Sequence, residues 1–145
     1  MQLLARRISQ LIPDWNRKEL TEADVYVVCE RFGVRIVEMP LTREGFYFRL
    51  LGRDFIAVDS RLKGVERVRV LFHELAHFLL HVPESGPTAR FHGLAPESRY
   101  EREADLVALC AVLPLSMMRA SNAAPDAVDP DVWANRLEIL VTFGI

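Results

Sequence analysis

Residues 65–81 read VERVRVLFHELAHFLLH, and the rest of the chain is organised around them. Val65, Val68, Phe72, Leu75, Ala76 and Leu79 recur at helical spacing, so an apolar stripe runs the length of the segment. Pro83 follows and stops the helix. His73-Glu74-Leu75-Ala76-His77 fits H-E-x-x-H, which on a helix sets two imidazoles one turn apart with a carboxylate beside them. A rise of about 6 Å between His73 and His77 lets both nitrogens reach one ion. Glu74 is then placed to act as general base toward a metal-bound water. With 4 histidines in 145 residues, composition alone produces this motif in about one such chain in a hundred. The bland reading, two core histidines on a buried helix, leaves a glutamate on an apolar face with no partner, at a cost.

Two histidines do not complete a catalytic centre; three protein ligands with an open position do. His81 shares the face of His73 and His77, but a rise of about 12 Å across eight residues keeps it from an ion held at His73. Phe78-Leu79-Leu80 contains no glycine to break the helix and bring it back. His81 is therefore expected at the helix end, near the substrate path. The next helical stretch, Tyr100 to Leu113, supplies Glu101, Glu103 and Asp105. Glu101 and Asp105, four apart, share a face, which suits one ligand carboxylate and one that fixes a ligand histidine's tautomer. Glu103 lies about 160° around the helix from Glu101, so the two acids are alternatives as ligands. Its bland reading is a solvated charge in the first turn.

The surrounding chain reads as a small α+β unit. Gln2 to Ile12 is an amphipathic helix closed by Pro13, and Thr21 caps a second that runs to Phe32. Ala23, Val27, Val28 and Phe32 are its expected inner face. Strands are expected at Val34 to Met39, Phe46 to Leu51 and Phe55 to Asp59, with Gly52-Arg53 as a two-residue turn. Glu84 to Ser98, with Gly86, Pro87, Gly93 and Pro96, reads as a surface loop. Leu115 to Arg119 adds a helical turn, Ala123 to Pro130 reads as a linker, and Asp131 to Val141 as a last helix with Val132, Leu137 and Leu140 inside. The expected architecture is a small, mostly antiparallel sheet packed on a helical core that carries the H-E-x-x-H helix.

Composition excludes some functions. Half of the residues are hydrophobic and the formal net charge is −2, which argues against a general nucleic-acid or acidic-membrane surface. No apolar run approaches spanning length, and the arginines near the start sit where a signal peptide needs apolar residues. Cys29 and Cys110 lie in apolar contexts without zinc-knuckle spacing, as reduced core thiols do. A cytoplasmic location is expected.

The order His73-Glu-Leu-Ala-His-Phe-Leu-Leu-His81, then Glu101-x-Glu-Ala-Asp-x-x-Ala108 and Leu113-Pro114, resembles the ImmA/IrrE family of metallo-endopeptidases. Asp24-Val-Tyr, Phe55-Ile-Ala-Val-Asp-Ser60 and Arg136-Leu-Glu138 are similar to it too, so the likeness covers most of residues 20–140. The resemblance implies a single zincin-like domain over residues 1–145, with residues 1–18 a helical extension and 123–145 a linker and closing helix. It implies one Zn2+ on His73, His77 and Glu101, with Mn2+ kept open as another divalent ion and Glu74 as base. It also implies a protein substrate, since members typically cut or inactivate helix-turn-helix repressors. Val107 stands where the family usually has Phe, and Val112-Leu113 where it has Leu-Met, changes of packing rather than chemistry. No DNA-reading domain is fused, so DNA targeting is expected through a partner.

Two further expectations complete the reading. The strand at Phe55 to Val58 accepts an extended substrate by edge pairing, and His92, Arg99 and Tyr100 are candidates for stabilising the oxyanion. The competing function is a non-cleaving, metal-bound module that sequesters a regulator, which would not need Glu74. A purely structural zinc site is disfavoured, because three ligands leave a fourth position open.

Overall fold

In the computed structural model the described residues are 1–82, 97–121 and 123–145. The expected loop over Glu84 to Ser98 falls almost wholly outside them, as does His92. Among the described residues nine elements follow in order: α1 (Gln2–Leu11), α2 (Glu22–Phe32), β1 (Val34–Met39), β2 (Gly45–Leu50), β3 (Arg53–Asp59), α3 (Gly64–His81), α4 (Glu97–Val112), α5 (Leu115–Ala120) and α6 (Pro130–Phe143).

Local chemistry explains most of the boundaries. Thr21 closes a reciprocal capping box with Asp24: its hydroxyl accepts from the Asp24 amide, and the Asp24 carboxylate accepts from the Thr21 amide. Gly33, left-handed at φ 73°, ends α2. Asp129 caps α6 and Pro130 opens it, where a missing N–H costs nothing. β2 and β3 are joined by Leu51 and Gly52, both left-handed at φ 51° and 73°, the backbone of a type I′ turn. The turn is thus Leu51-Gly52 rather than Gly52-Arg53, and Leu50 pairs with Arg53.

The α+β architecture is a three-stranded sheet packed on a helical core. Strand order is β1-β3-β2; β2 runs antiparallel to β3, while β1 runs parallel to it, in register from Val34 opposite Asp54 to Met39 opposite Asp59. The sheet is therefore mixed. Because β3 is the central strand, both of its edges are paired, and it offers none to a substrate. Among the described residues the free edges belong to β1 and β2.

α3 lies against the inner face of the sheet and against α4. Leu71, Phe72, Leu75 and Ala76 are fully buried, and Ala104, Ala108 and Ala111 on α4 are fully buried too. Small side chains on α4 let its backbone come close to α3, and that closeness brings an acid of one helix to the histidines of the other. α1 and the segment after it belong to the same core through Ile8, Ile12 and Trp15, whose indole N–H donates to the Val107 carbonyl at 2.8 Å. A smaller cluster joins Val112, Leu113, Met118 and Trp133.

Two expected inner faces differ. On α2, Val28 is buried and Phe32 partly so, but Ala23 and Val27 are exposed, and Val25 and Cys29 face the core. On α6, Leu137 is exposed while Trp133 and Arg136 are buried. Arg136 is tolerated there because its guanidinium donates to the Leu113 and Ile145 carbonyls and the Asn16 side chain, at 2.7, 2.8 and 3.0 Å. Among the described residues no helix is long and apolar enough to cross a membrane.

Candidate metal centre

α3 delivers His73 and His77 from successive turns, and the first turns of α4 deliver Glu101. His73 Nε2 and His77 Nε2 are 3.2 Å apart. Glu101 Oε2 lies 3.1 Å from the first and its Oε1 3.1 Å from the second. Ligand atoms of the three residues all fall within 4.8 Å of one another. A tetrahedral ion with bonds of about 2.0–2.1 Å places its ligand atoms about 3.3–3.4 Å apart. The three side chains therefore stand almost where one divalent ion needs them, and two imidazoles with a carboxylate are a donor set that zinc accepts.

The charges nearby favour a cation. Asp105 Oδ1 sits 2.8 Å from His73 Nδ1, so the ring donates there and turns its Nε2 toward Glu101. Burial pulls the His73 pKa down, but Asp105, Glu74 and Glu101 together outweigh it and leave it raised. The surrounding carboxylates reward positive charge at this point, and a bound ion meets the same demand.

Glu74 is buried beside the two histidines. Burial pushes its carboxyl pKa up and Glu101 adds to this, against the opposing pull of His73, Arg43 and the Tyr47 amide. Gly45, on β2, is what lets the sheet come so near. A Cβ there would lie 2.8 Å from the Ala57 carbonyl oxygen, 3.0 Å from Val70 Cγ1 and 3.6 Å from Glu74 Cγ. His73, Glu74, Glu101 and Asp105 line a cleft of about 380 Å³ whose other wall is Arg43, Glu44 and Gly45, the start of β2, completed by Arg69 and Val70 of α3.

Other expected residues sit elsewhere. Glu103 faces away from the three-residue cluster: its Oε2 lies 2.9 Å from His81 Nε2 and its Oε1 accepts from Arg99 at 2.8 Å. It is not the solvated charge of the bland reading. His81 is buried, its Nδ1 3.0 Å from His77 Nδ1, and its ring stacks on Tyr100 with centroids 4.2 Å apart. Arg99 and Tyr100 are thus engaged with Glu103 and with the His81 ring. Helical spacing put His73, His77 and His81 on one face, but which side chain would meet His81 depended on how α4 packs, and no sequence signal carried that.

An immunity region protein of Bacillus phage phi105, itself uncharacterized, is 28% identical over 99 residues, which is 67% of this chain and 63% of that protein. The chain thus spans under two thirds of that relative's length. The profile of the IrrE N-terminal-like domain, Peptidase_M78, matches residues 29–142, a span that contains β1 to β3, α3, α4 and all of the residues of the cleft. The chain belongs to the Peptidase_M78 family of IrrE N-terminal-like domains.

Proposed function

We propose that this chain is a zinc-dependent endopeptidase that cleaves a cytosolic repressor of the helix-turn-helix type. The convergence of His73, His77 and Glu101 ligand atoms within 4.8 Å carries the reading, and membership of a peptidase family supports it. A divalent ion held there supplies Lewis-acid polarisation of the scissile carbonyl and a lowered pKa for water. Glu74 takes the proton of the attacking water and passes it to the leaving amine. A carboxyl whose pKa is raised by burial is better matched to both transfers near neutral pH than an exposed one. Asp105 holds the His73 ring in its working tautomer through Nδ1.

The substrate enters as an extended segment. Among the described residues β2 has an unpaired edge, and its first residue, Gly45, walls the cleft together with Arg43 and Glu44 before it, so this strand, not β3, is the one to pair with an incoming peptide. A net charge of −2 gives no electrostatic basis for DNA binding by the chain alone. A relative from a phage immunity region supports a regulator as the partner.

The test is incubation of the zinc-loaded protein with the repressor encoded beside it, read by mass spectrometry. A cut between the repressor's domains is the expected result. Tight binding without a cut, including with the repressor held on its operator, would establish the sequestering module instead.

A further inference from the structure

Behind the proposed ligand His77 lies a buried chain of groups with no part in the chemistry above. Glu103 reaches His81, and His81 reaches His77, at 2.9 and 3.0 Å. The direction of these bonds follows from what each group can do. An ionised carboxylate only accepts, so His81 Nε2 must carry the proton donated to Glu103. A neutral His81 then has a lone pair on Nδ1, which accepts from His77 Nδ1–H. With an ion on its Nε2, the atom that faces His73 Nε2 at 3.2 Å and Glu101 Oε1 at 3.1 Å, His77 carries its proton on Nδ1, where His81 receives it. Arg99 donates to the far oxygen of Glu103 at 2.8 Å, and Tyr100 stacks on the His81 ring.

We propose that His81 and Glu103 are positioning residues that fix the tautomer and ring orientation of His77, so that its Nε2 lone pair is directed at the ion. The inference rests on the metal reading of the centre. It assigns a common task to two residues that H-E-x-x-H and the third ligand leave unused. The two ligand histidines are then oriented by separate devices: a direct carboxylate, Asp105, for His73, and an imidazole-carboxylate relay for His77. Outer partners of this kind are worth about 10–100-fold in metal affinity.

Two measurements test it. In zinc-loaded, 15N-histidine-labelled protein, long-range 1H–15N spectra should show His77 protonated on Nδ1 and His81 on Nε2. His81 protonated on Nδ1 instead overturns the proposal. Zinc affinity is then compared, by chelator competition, between wild type, His81→Phe, His81→Asn and Glu103→Gln. Phenylalanine keeps the ring on Tyr100 but has no nitrogen, and should weaken zinc about 10–100-fold while saturating zinc still fills the site. Asparagine, with an acceptor near the position of Nδ1, should recover part of that loss. Glu103→Gln, which still accepts from His81, should lose less than His81→Phe; it serves as the second variant should His81→Phe fail to fold. Wild-type affinity in both His81→Phe and Glu103→Gln overturns the relay alone. A wild type that binds no zinc overturns the metal reading beneath it.

Discussion

At the scale of single residues, the account turns on Glu74 and its neighbours. Glu74→Gln keeps the size of the side chain and removes its basicity, so fold and metal content should be retained while peptide hydrolysis falls about 10²–10⁴-fold. Turnover of a cleavable protein by the two forms, matched for zinc, checks this, and equal rates would remove Glu74 from the mechanism. His73, Glu74 and His77 were legible as a motif because helical period and residue type coincide in one short stretch. Glu101 was legible as one of two acids whose positions around a helix exclude each other as ligands. His81 was read only by exclusion: the rise of a straight helix keeps it from the ion at His73, but rise says nothing about what an imidazole meets sideways. The answer, Glu103, is 22 residues away and lies on a helix whose packing no local pattern specifies.

Among elements, the contact of β2 with α3 decides whether the cleft exists. Gly45→Ala would drive a methyl against the Ala57 carbonyl and Val70, where 2.8 and 3.0 Å leave no room. The strand or the helix must then yield beside Glu74. We expect a destabilisation of about 1–3 kcal/mol, typical of overpacking, together with reduced activity; chemical denaturation and turnover measure the two. A variant as stable and active as wild type would mean that β2 does not shape the site. The opposite sign is expected at the hairpin tip. Leu51 is 94% exposed and left-handed at φ 51°, a conformation that costs most L-residues about 1–2 kcal/mol. Leu51→Asn makes an Asn-Gly type I′ turn and should stabilise by up to about 1 kcal/mol, readable as a raised denaturation midpoint. The helices and strands themselves were readable from period, caps and breakers. Strand order was not, because parallel pairing of β1 with β3 is settled by what covers the sheet. Nor were the inner faces of α2 and α6: an arginine as deep as Arg136 is permitted only by carbonyls and an asparagine that folding brings from Leu113, Ile145 and Asn16.

Over the whole molecule, the core and the proposed metal centre are one construction, since α3 and α4 supply both. The buried thiols report on it. Burial pushes Cys29 and Cys110 up to about 11 from an ordinary value of 9.0, with Arg136 opposing the shift at Cys110. A raised folded-state pKa favours the neutral thiol in the fold, so this contribution is complete below about pH 9 and is lost as pH climbs through about 11. Melting temperature should therefore fall across that window, and native alkylation should stay slow until the chain opens; fast alkylation at neutral pH would show that the thiols are not enclosed. The central claim is that one ion is held jointly by α3 and α4, on His73, His77 and Glu101. It is tested most directly by metal analysis of zinc-treated, desalted wild type, Glu74→Gln, Glu101→Ala and Glu103→Ala. The account predicts about one zinc per chain in the first two, a relay-sized weakening that leaves Glu103→Ala fillable, and almost none in Glu101→Ala. Zinc retained by Glu101→Ala and lost from Glu103→Ala would contradict it.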